Sequence, residues 1–511
     1  MKTDSKVLDW SRDLERALIA DWSDVVLCYG HFDAIHPGHL RYFQFAREHG
    51  ARLVVAVEGD DQQAIKGSGR SRFPASERAR AVAALYLVDY VVVVTPDVLI
   101  ELIEATNFTA LVLGREFEDE EGGQLLEVIN FARQKGISVL FTAGEAHYAT
   151  VAFFDKPQRE LEVTRWREFQ AVLRTRGIQL PLLMSRLVKS DRRKILVVGD
   201  TIVDRYVACD PVGLSSESPT IVVKELQSRD FVGGAAIVAA HIASLGTKCD
   251  LISVVGEDVR AEFLREQMSL NNVTAHLLSD DSRPTTFKIR YMIENQKLFR
   301  VSSLKDHRLA KDIESNVIDR IKGSTGELSA IVVSDFVYGV ITPRILSAIT
   351  EISKEFRIPL FGDLQCSSQI GNVGKFKEFD LLFPTEREAR VALNNQDAGV
   401  EEIAKTLMKD THVPRLIMKL GGDGLITYDS TSGGESLDRQ HFPALSVNPI
   451  DVAGAGDALL ATIAVGISKG LSLTEATAVG CCGAALAVET VGNIPVRLEN
   501  VVEFSQLRGN P

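Results

Sequence analysis

The chain has 511 residues, 45% of them hydrophobic and 25% charged, a balance that excludes a disordered or low-complexity polymer. Its formal charge of −12 argues against broad nucleic-acid binding, and no apolar run reaches the roughly 20 residues needed to cross a bilayer. Met1 to Ala20 lacks the apolar core and cleavage site of a secretory signal, so a cytoplasmic protein with small-molecule ligands, no nucleic acid and no membrane segment is expected.

At about 100–200 residues per domain, this length predicts two or more domains. Val7 to Trp22 reads as a short surface helix. Strands then follow at Val25–Tyr29, Arg52–Val57, Tyr90–Val94, Ala110–Leu113 and Ser138–Phe141. Helices at Leu40–Glu48, Ser76–Leu87 and Leu125–Gln134 separate them. Strands alternating with helices imply a parallel sheet covered on both faces. Lys156 to Lys194 is charge-rich and reads as a partly helical connector. A second α/β series has strands at Ile195–Gly199, Asp250–Val254, Ala330–Ser334, Leu360–Asp363, Leu381–Pro384 and Leu416–Leu420. Thr220–Leu226 and Thr285–Ile293 lack neighbouring helices and read as an extra β layer. The boundaries expected are 1–155, 156–193 and 194–511. The six cysteines have no Cys-x-x-Cys spacing and read as reduced thiols.

Two stretches carry the chemistry. After the first strand the chain reads Gly30-His31-Phe32-Asp33-Ala34-Ile35-His36-Pro37-Gly38-His39 and enters a helix. Two histidines around a glycine at a helix start can donate to phosphates while Gly38 lets the backbone approach. Zinc ligation is the competing reading, but no carboxylate or cysteine set completes a site nearby. Near the other end, Asp451-Val452-Ala453-Gly454-Ala455-Gly456-Asp457 precedes the apolar helix opening Ala458-Leu459-Leu460. Small residues allow a tight turn, the helix start offers unpaired N–H groups, and Asp457 can accept a proton from an attacking hydroxyl.

With Gly233-Gly234-Ala235-Ala236, Gly199-Asp200-Thr201-Ile202-Val203-Asp204 and Pro384-Thr385-Glu386-Arg387-Glu388, the second half resembles the ribokinase-like (PfkB) sugar kinases. With Lys66-Gly67-Ser68-Gly69-Arg70 and Ser76-Glu77-Arg78, the first half resembles the cytidylyltransferase-like nucleotidyltransferases, whose signature is His-x-Gly-His. Together they are similar to the bifunctional heptose 7-phosphate kinase/heptose 1-phosphate adenylyltransferases of ADP-heptose synthesis, with the order of the halves reversed.

The resemblance implies an α/β protein: a Rossmann-like nucleotidyltransferase domain followed by a ribokinase-like domain with a small β lid. It implies Mg2+ with ATP or another NTP, a sugar phosphate substrate, and a homodimer through the lid. In the front half, His36, His39 and Lys66 would be catalytic, with Gly30, Phe32, Gly38, Arg70 and Arg78 around the nucleotide. In the second half, Asp457 would be the base, and Gly454, Ala455, Gly456, Gly421 and Gly424 would meet phosphates or nucleotide. Asp204, Gly233, Gly234, Lys288 and Arg290 would hold the sugar or its phosphate, and Glu388 would order magnesium through water.

Several positions depart from the family pattern. The asparagine of Gly-Gly-Ala-Ala-Asn is Ile237, and the acidic positions after Arg300 are Ser302 and Leu304. Asp-Pro-Lys is Asp363-Leu364-Gln365, the asparagine before Glu388 is Thr385, and of a Ser-Thr cap only Thr150 remains. These departures predict altered sugar recognition. The alternative expectation is a protein in which one half is catalytic and the other only binds ligand for assembly or regulation.

Overall fold

A computed structural model describes residues 6–8, 24–33, 35, 37–60, 73–114, 124–142, 158–189, 193–214, 220–293, 296–366, 371–431 and 437–507. The chain divides into two compact units, residues 1–155 with 394–405, and residues 156–393 with 406–511.

The first unit is built on β1 (Val7–Leu8), β2 (Val25–Gly30), α1 (Pro37–Glu48), β3 (Arg52–Glu58), α2 (Ala75–Ala83), β4 (Tyr90–Val94), β5 (Phe108–Gly114) and β6 (Ser138–Thr142). Every strand pairing is parallel, in the order β1-β4-β3-β2-β5-β6. Such a sheet needs cover on both faces, which is why β2 is buried at every position. The order reverses between β2 and β5, so the ligand crevice of this topology lies beyond the end of β2, where Gly30 to Phe32 emerge. The helix expected from Val7 is corrected at its start: Val7 and Leu8 form an edge strand, paired with Val91 and Val92. Two residues of a parallel strand are too short to show alternation, so their apolar character was legible but not their period.

The second unit opens with α3 (Gln158–Thr175) and α4 (Leu180–Val188), the segment expected to connect the domains. Phe169, Leu173, Leu183, Met184 and Leu187 lie in the same hydrophobic core as the sheet, so both helices are part of this unit. Its strands are β7 (Lys194–Gly199), β8 (Thr201–Leu214), β9 (Ile221–Gly234), β10 (Lys248–Val255), β11 (Val273–Ser279), β12 (Phe287–Ile293), β13 (Gln296–Ser303), β14 (Leu328–Asp335), β15 (Leu360–Leu364), β16 (Leu381–Leu382), β17 (Arg415–Lys419), β18 (Leu425–Asp429) and β19 (Asp438–Phe442). The helices α5 (Ala235–Ser244), α6 (Glu386–Leu393), α7 (Ala455–Ser468) and α8 (Leu473–Ala487) frame the site.

A nine-stranded sheet runs β11-β10-β7-β14-β15-β16-β17-β18-β19, parallel until the antiparallel β18 and β19. The expected extra β layer is a separate four-stranded sheet, β13-β12-β8-β9. Asp200 marks the junction: β7 ends at Gly199 and the chain immediately begins β8 of this second sheet. The Asp200 carboxylate accepts from the amides of Phe336 and Tyr338 at 2.8 and 3.3 Å, tying the junction to the end of β14. Burial and the neighbouring Asp335 carboxylate push it up to about 7.

Helix α7 is apolar nearly all round and buried, as expected of a helix enclosed by other elements. It packs closely on α8 because glycine removes side chains at the contact. A Cβ on Gly480 would lie 2.7 Å from Ile463, and one on Gly483 would lie 2.5 Å from the Thr462 hydroxyl. This packing holds the start of α7, and so Asp457, in place.

Candidate active site

In the second unit a cavity of about 630 Å³ opens beyond the ends of β7, β14 and β15, where the strand order reverses. It gathers Asp204, Gly234, Lys288, Arg290, Glu388, Gly421, Gly424, Gly454, Ala455, Gly456 and Asp457, which are dispersed over more than 250 residues of sequence. Gly233 lies beside them on β9. A Cβ there would stand 2.6 Å from an Asp204 oxygen, so only glycine leaves that carboxylate its place.

The turn before α7 depends on Gly454, which has φ 81° and caps the helix. The amides of the first turn of α7 point out of the helix toward the cavity end, with the positive end of the helix dipole. Asp457 sits in this turn, buried. The Gln365 side-chain amide donates to it at 2.6 Å. Burial, reinforced by the Asp363 carboxylate, outweighs Gln365 and Lys419 and pushes the Asp457 carboxyl up to about 7. An acid of that strength exchanges a proton near neutrality.

Gln365 comes from the position expected to be lysine. A lysine is nevertheless present from another strand: Lys419, at the end of β17, donates to Asp363 at 2.7 Å. Burial would lower Lys419, but Asp363, Glu388 and Asp457 outweigh it and hold the ammonium charged. Sequence reasoning missed this residue, whose only signal was a single cation ending an apolar strand.

Glu388 is buried, and its two oxygens accept from the amides of Cys366 (3.0 Å) and Thr385 (2.8 Å). The Thr385 hydroxyl in turn accepts from the Glu388 amide at 3.2 Å. This is a capping box at the start of α6, which accounts for threonine where the family pattern has asparagine. Among the described residues no group of three or more His, Cys, Asp or Glu side chains is placed to hold a metal ion.

The opposite end of the cavity is cationic. Arg290 pairs with Asp204 at 2.8 Å, and Asn493 donates to the other Asp204 oxygen at 3.3 Å. The predicted pair of sugar contacts, Asp204 and Arg290, is thus one ion-paired unit. Lys288 is buried, with its ammonium 5.3 Å from the Phe336 ring centre and 5.2 Å from that of Tyr338. Asn493 was not anticipated, because an isolated asparagine in a Gly-Asn-Ile-Pro turn gives no chemical signal. Ile237 faces the hydrophobic core and does not line the cavity.

In the first unit, Gly30 ends β2 where any Cβ would strike the Phe32 ring at 2.8 Å. Phe32 has φ 54° and its buried ring meets the His39 imidazole edge-on at 5.1 Å. Gly38 and His39 lie in the first turn of α1, the predicted phosphate-facing position. His36, Lys66, Arg70 and Thr150 lie outside the described residues.

Arg78 requires correction as a nucleotide contact. It is fully buried, and its guanidinium donates to the backbone oxygens of Phe73 (3.0 Å), His31 (2.5 Å) and Glu58 (2.8 Å) and to Asp60 (2.9 Å). It braces the loops after β2 and β3 from beneath. Sequence reasoning also passed over Glu58, which is buried at the end of β3 and pairs with the His31 imidazole at 2.9 Å.

Comparison with known proteins agrees with this geometry. Residues 192–499 match the model of the pfkB family of carbohydrate kinases, and residues 27–136 match the cytidylyltransferase-like family. A bifunctional protein HldE from Campylobacter jejuni is 30% identical over 327 residues, covering 63% of this chain and 67% of the relative. One from Trichlorobacter lovleyi is 28% identical, covering 63% and 64%. In fold, the chain is similar to phosphofructokinase-2 from Escherichia coli at TM-score 0.52 and 15% identity, over 62% of this chain and 99% of that one. The chain belongs to the pfkB family of carbohydrate kinases and carries a cytidylyltransferase-like nucleotidyltransferase domain ahead of the kinase.

Proposed function

We propose that the protein phosphorylates a sugar phosphate at a hydroxyl in its second unit and transfers a nucleotidyl group to a sugar phosphate in its first, yielding an activated sugar such as ADP-heptose. The observation that carries the kinase reading is Asp457: a buried carboxyl pushed up to about 7, at a helix start, in a cavity whose far end is cationic. The substrate hydroxyl gives its proton to Asp457 as its oxygen attacks the γ-phosphorus of ATP. The bond to the ADP oxygen breaks, while the amides of the Gly454–Gly456 turn take up charge on the transferring group. Lys288 and Arg290 fit the substrate's own phosphate, and Asp204 a sugar hydroxyl.

Magnesium bound with ATP would neutralise phosphate charge, and Glu388 would meet it through water. In the first unit, His39 at the start of α1 supports stabilisation of an α-phosphate under attack by the sugar phosphate, with pyrophosphate leaving.

The outer sheet supports the expected homodimer. Val212, Ile221, Leu226, Phe299 and Val301 are exposed on β8, β9 and β13, an apolar display that a second copy would cover. Incubation with Mg-ATP and a panel of sugar phosphates, including heptose 7-phosphate and heptose 1-phosphate, tests the assignment through sugar-dependent ADP and pyrophosphate. Formation of only one of the two products, with ligand bound but not turned over at the other site, would support the alternative in which one half only binds ligand.

A further inference from the structure

Phosphoryl transfer asks for positive charge where the transferring group sits, and in this chain the loop beside Asp457 carries neutral Gln365 there. The charge enters from elsewhere. Lys419 extends from the end of β17 to the underside of the Gly454–Gly456 turn, where its ammonium lies 3.6 Å from the position a Gly456 Cβ would occupy. The residue is nearly enclosed yet lines the cavity. Its hydrogen-bond partner among the described residues is the Asp363 carboxylate at 2.7 Å. An ammonium has three donors, so two remain for a ligand at this position.

Asp363, which orders Lys419, is itself held: Gln365 donates to it at 3.2 Å while donating to Asp457 at 2.6 Å. The four side chains form one chain of contacts, Lys419 to Asp363 to Gln365 to Asp457, of which Lys419, Gln365 and Asp457 line the cavity. Lys419 and the proposed base are thereby tied into one frame.

We propose that Lys419 is a catalytic residue of the kinase, contacting the phosphoryl group as it passes from ATP to the sugar hydroxyl and replacing a lysine absent from position 365. This rests on the kinase reading above. Asp457 takes the hydroxyl proton, the oxygen–phosphorus bond to the sugar forms as that to ADP breaks, and Lys419 stays protonated throughout, stabilising equatorial phosphoryl oxygens.

The test compares Lys419→Met with wild type in the full-length protein. ADP formation should slow by about 10²–10³-fold in kcat, as when one preorganised donor to a transition state is removed. The KM for the sugar phosphate should be unchanged within about threefold, the pattern of an interaction made only in the transition state. Calorimetry supplies a readout that a structural role would not move: Mg-ADP should bind the variant as it binds wild type, whereas the gain in affinity from added fluoroaluminate, a mimic of the phosphoryl group, should disappear. If Lys419→Met does not fold, the double variant Asp363→Asn/Lys419→Met, which leaves no unpaired buried charge, is read in the same way. A folded variant with wild-type kcat, or one that keeps the fluoroaluminate gain, overturns the proposal. Absence of ADP from wild type with every sugar phosphate would instead overturn the kinase reading itself.

Discussion

The side-chain amide of Gln365 donates to the Asp457 carboxylate at 2.6 Å, so the residue that departs from the family pattern is bonded to the group proposed as the kinase base. A donor to the charged form favours ionisation. With Asp457 pushed up to about 7, the base is ionised above that pH and protonated below it. Kinase kcat is therefore expected to rise with pH through about 7 and then level. Gln365→Leu removes the donor and should move that limb to higher pH, while Asp457→Asn should lower kcat by about 10²–10⁴-fold on the plateau above that pH and abolish the limb, the deficit shrinking as wild type is protonated. The pH dependence of ADP release checks all three.

The sugar end gives a second prediction. Asn493 and Arg290 each hold one oxygen of Asp204, so Asn493→Ala frees one side of that carboxylate. The KM for the sugar phosphate should rise about 10-fold, equivalent to losing one hydrogen bond to a charged group. Restoring the family asparagine by Ile237→Asn should not help. Position 237 is fully buried among apolar side chains, and an amide there would cost about 2 kcal/mol or more of stability without reaching the cavity. Urea unfolding and sugar KM, measured on both variants, separate the two effects.

A third prediction concerns the outer sheet. Asp451, at the head of the turn leading to Asp457, accepts from Lys297 on β13 at 2.6 Å and from Tyr206 on β8 at 2.7 Å. Burial would raise the Asp451 carboxyl, but Lys297, the Ala453 amide and Tyr206 outweigh it and hold it below its ordinary value. Since that depression favours the folded state above the unfolded carboxyl pKa, the stabilisation is lost as pH falls through the acid range. Lys297→Met should weaken resistance to urea near neutral pH and have little effect in strong acid.

In the first unit, Arg78 and His39 should separate by kind of effect. Arg78→Met strips three backbone oxygens and Asp60 of their donor at a fully buried position, so it should destabilise the unit by about 3 kcal/mol or more. His39→Ala, in the first turn of α1, should leave stability within about 1 kcal/mol and suppress pyrophosphate release. Thermal unfolding and pyrophosphate assays on the two variants decide it.

Much of the fold was legible because buried parallel strands write themselves as apolar runs, as at Val25–Gly30 and Leu328–Asp335, and because glycines at 234 and 454 take a left-handed backbone that other residues rarely adopt. The antiparallel edge formed by β18 and β19 was not, since Asp438-Arg439-Gln440-His441 carries no apolar alternation. The Asp457 turn could be read as a site because its residues are contiguous. Lys419 and Asn493 could not: each contacts residues tens to hundreds of positions away, and only the sheet order β15-β16-β17 brings Lys419 to Asp363. Arg78 was misassigned because sequence shows its charge but not its burial beneath the loops that it braces.

One chain is proposed to carry two separable transfer sites. The most direct measurement gives wild type, Asp457→Asn and His39→Ala the same Mg-ATP and sugar phosphates and follows ADP and pyrophosphate together by mass spectrometry. Wild type should form both, Asp457→Asn pyrophosphate alone, and His39→Ala ADP alone. Loss of both products in either folded variant, or formation of neither by wild type, would contradict the account.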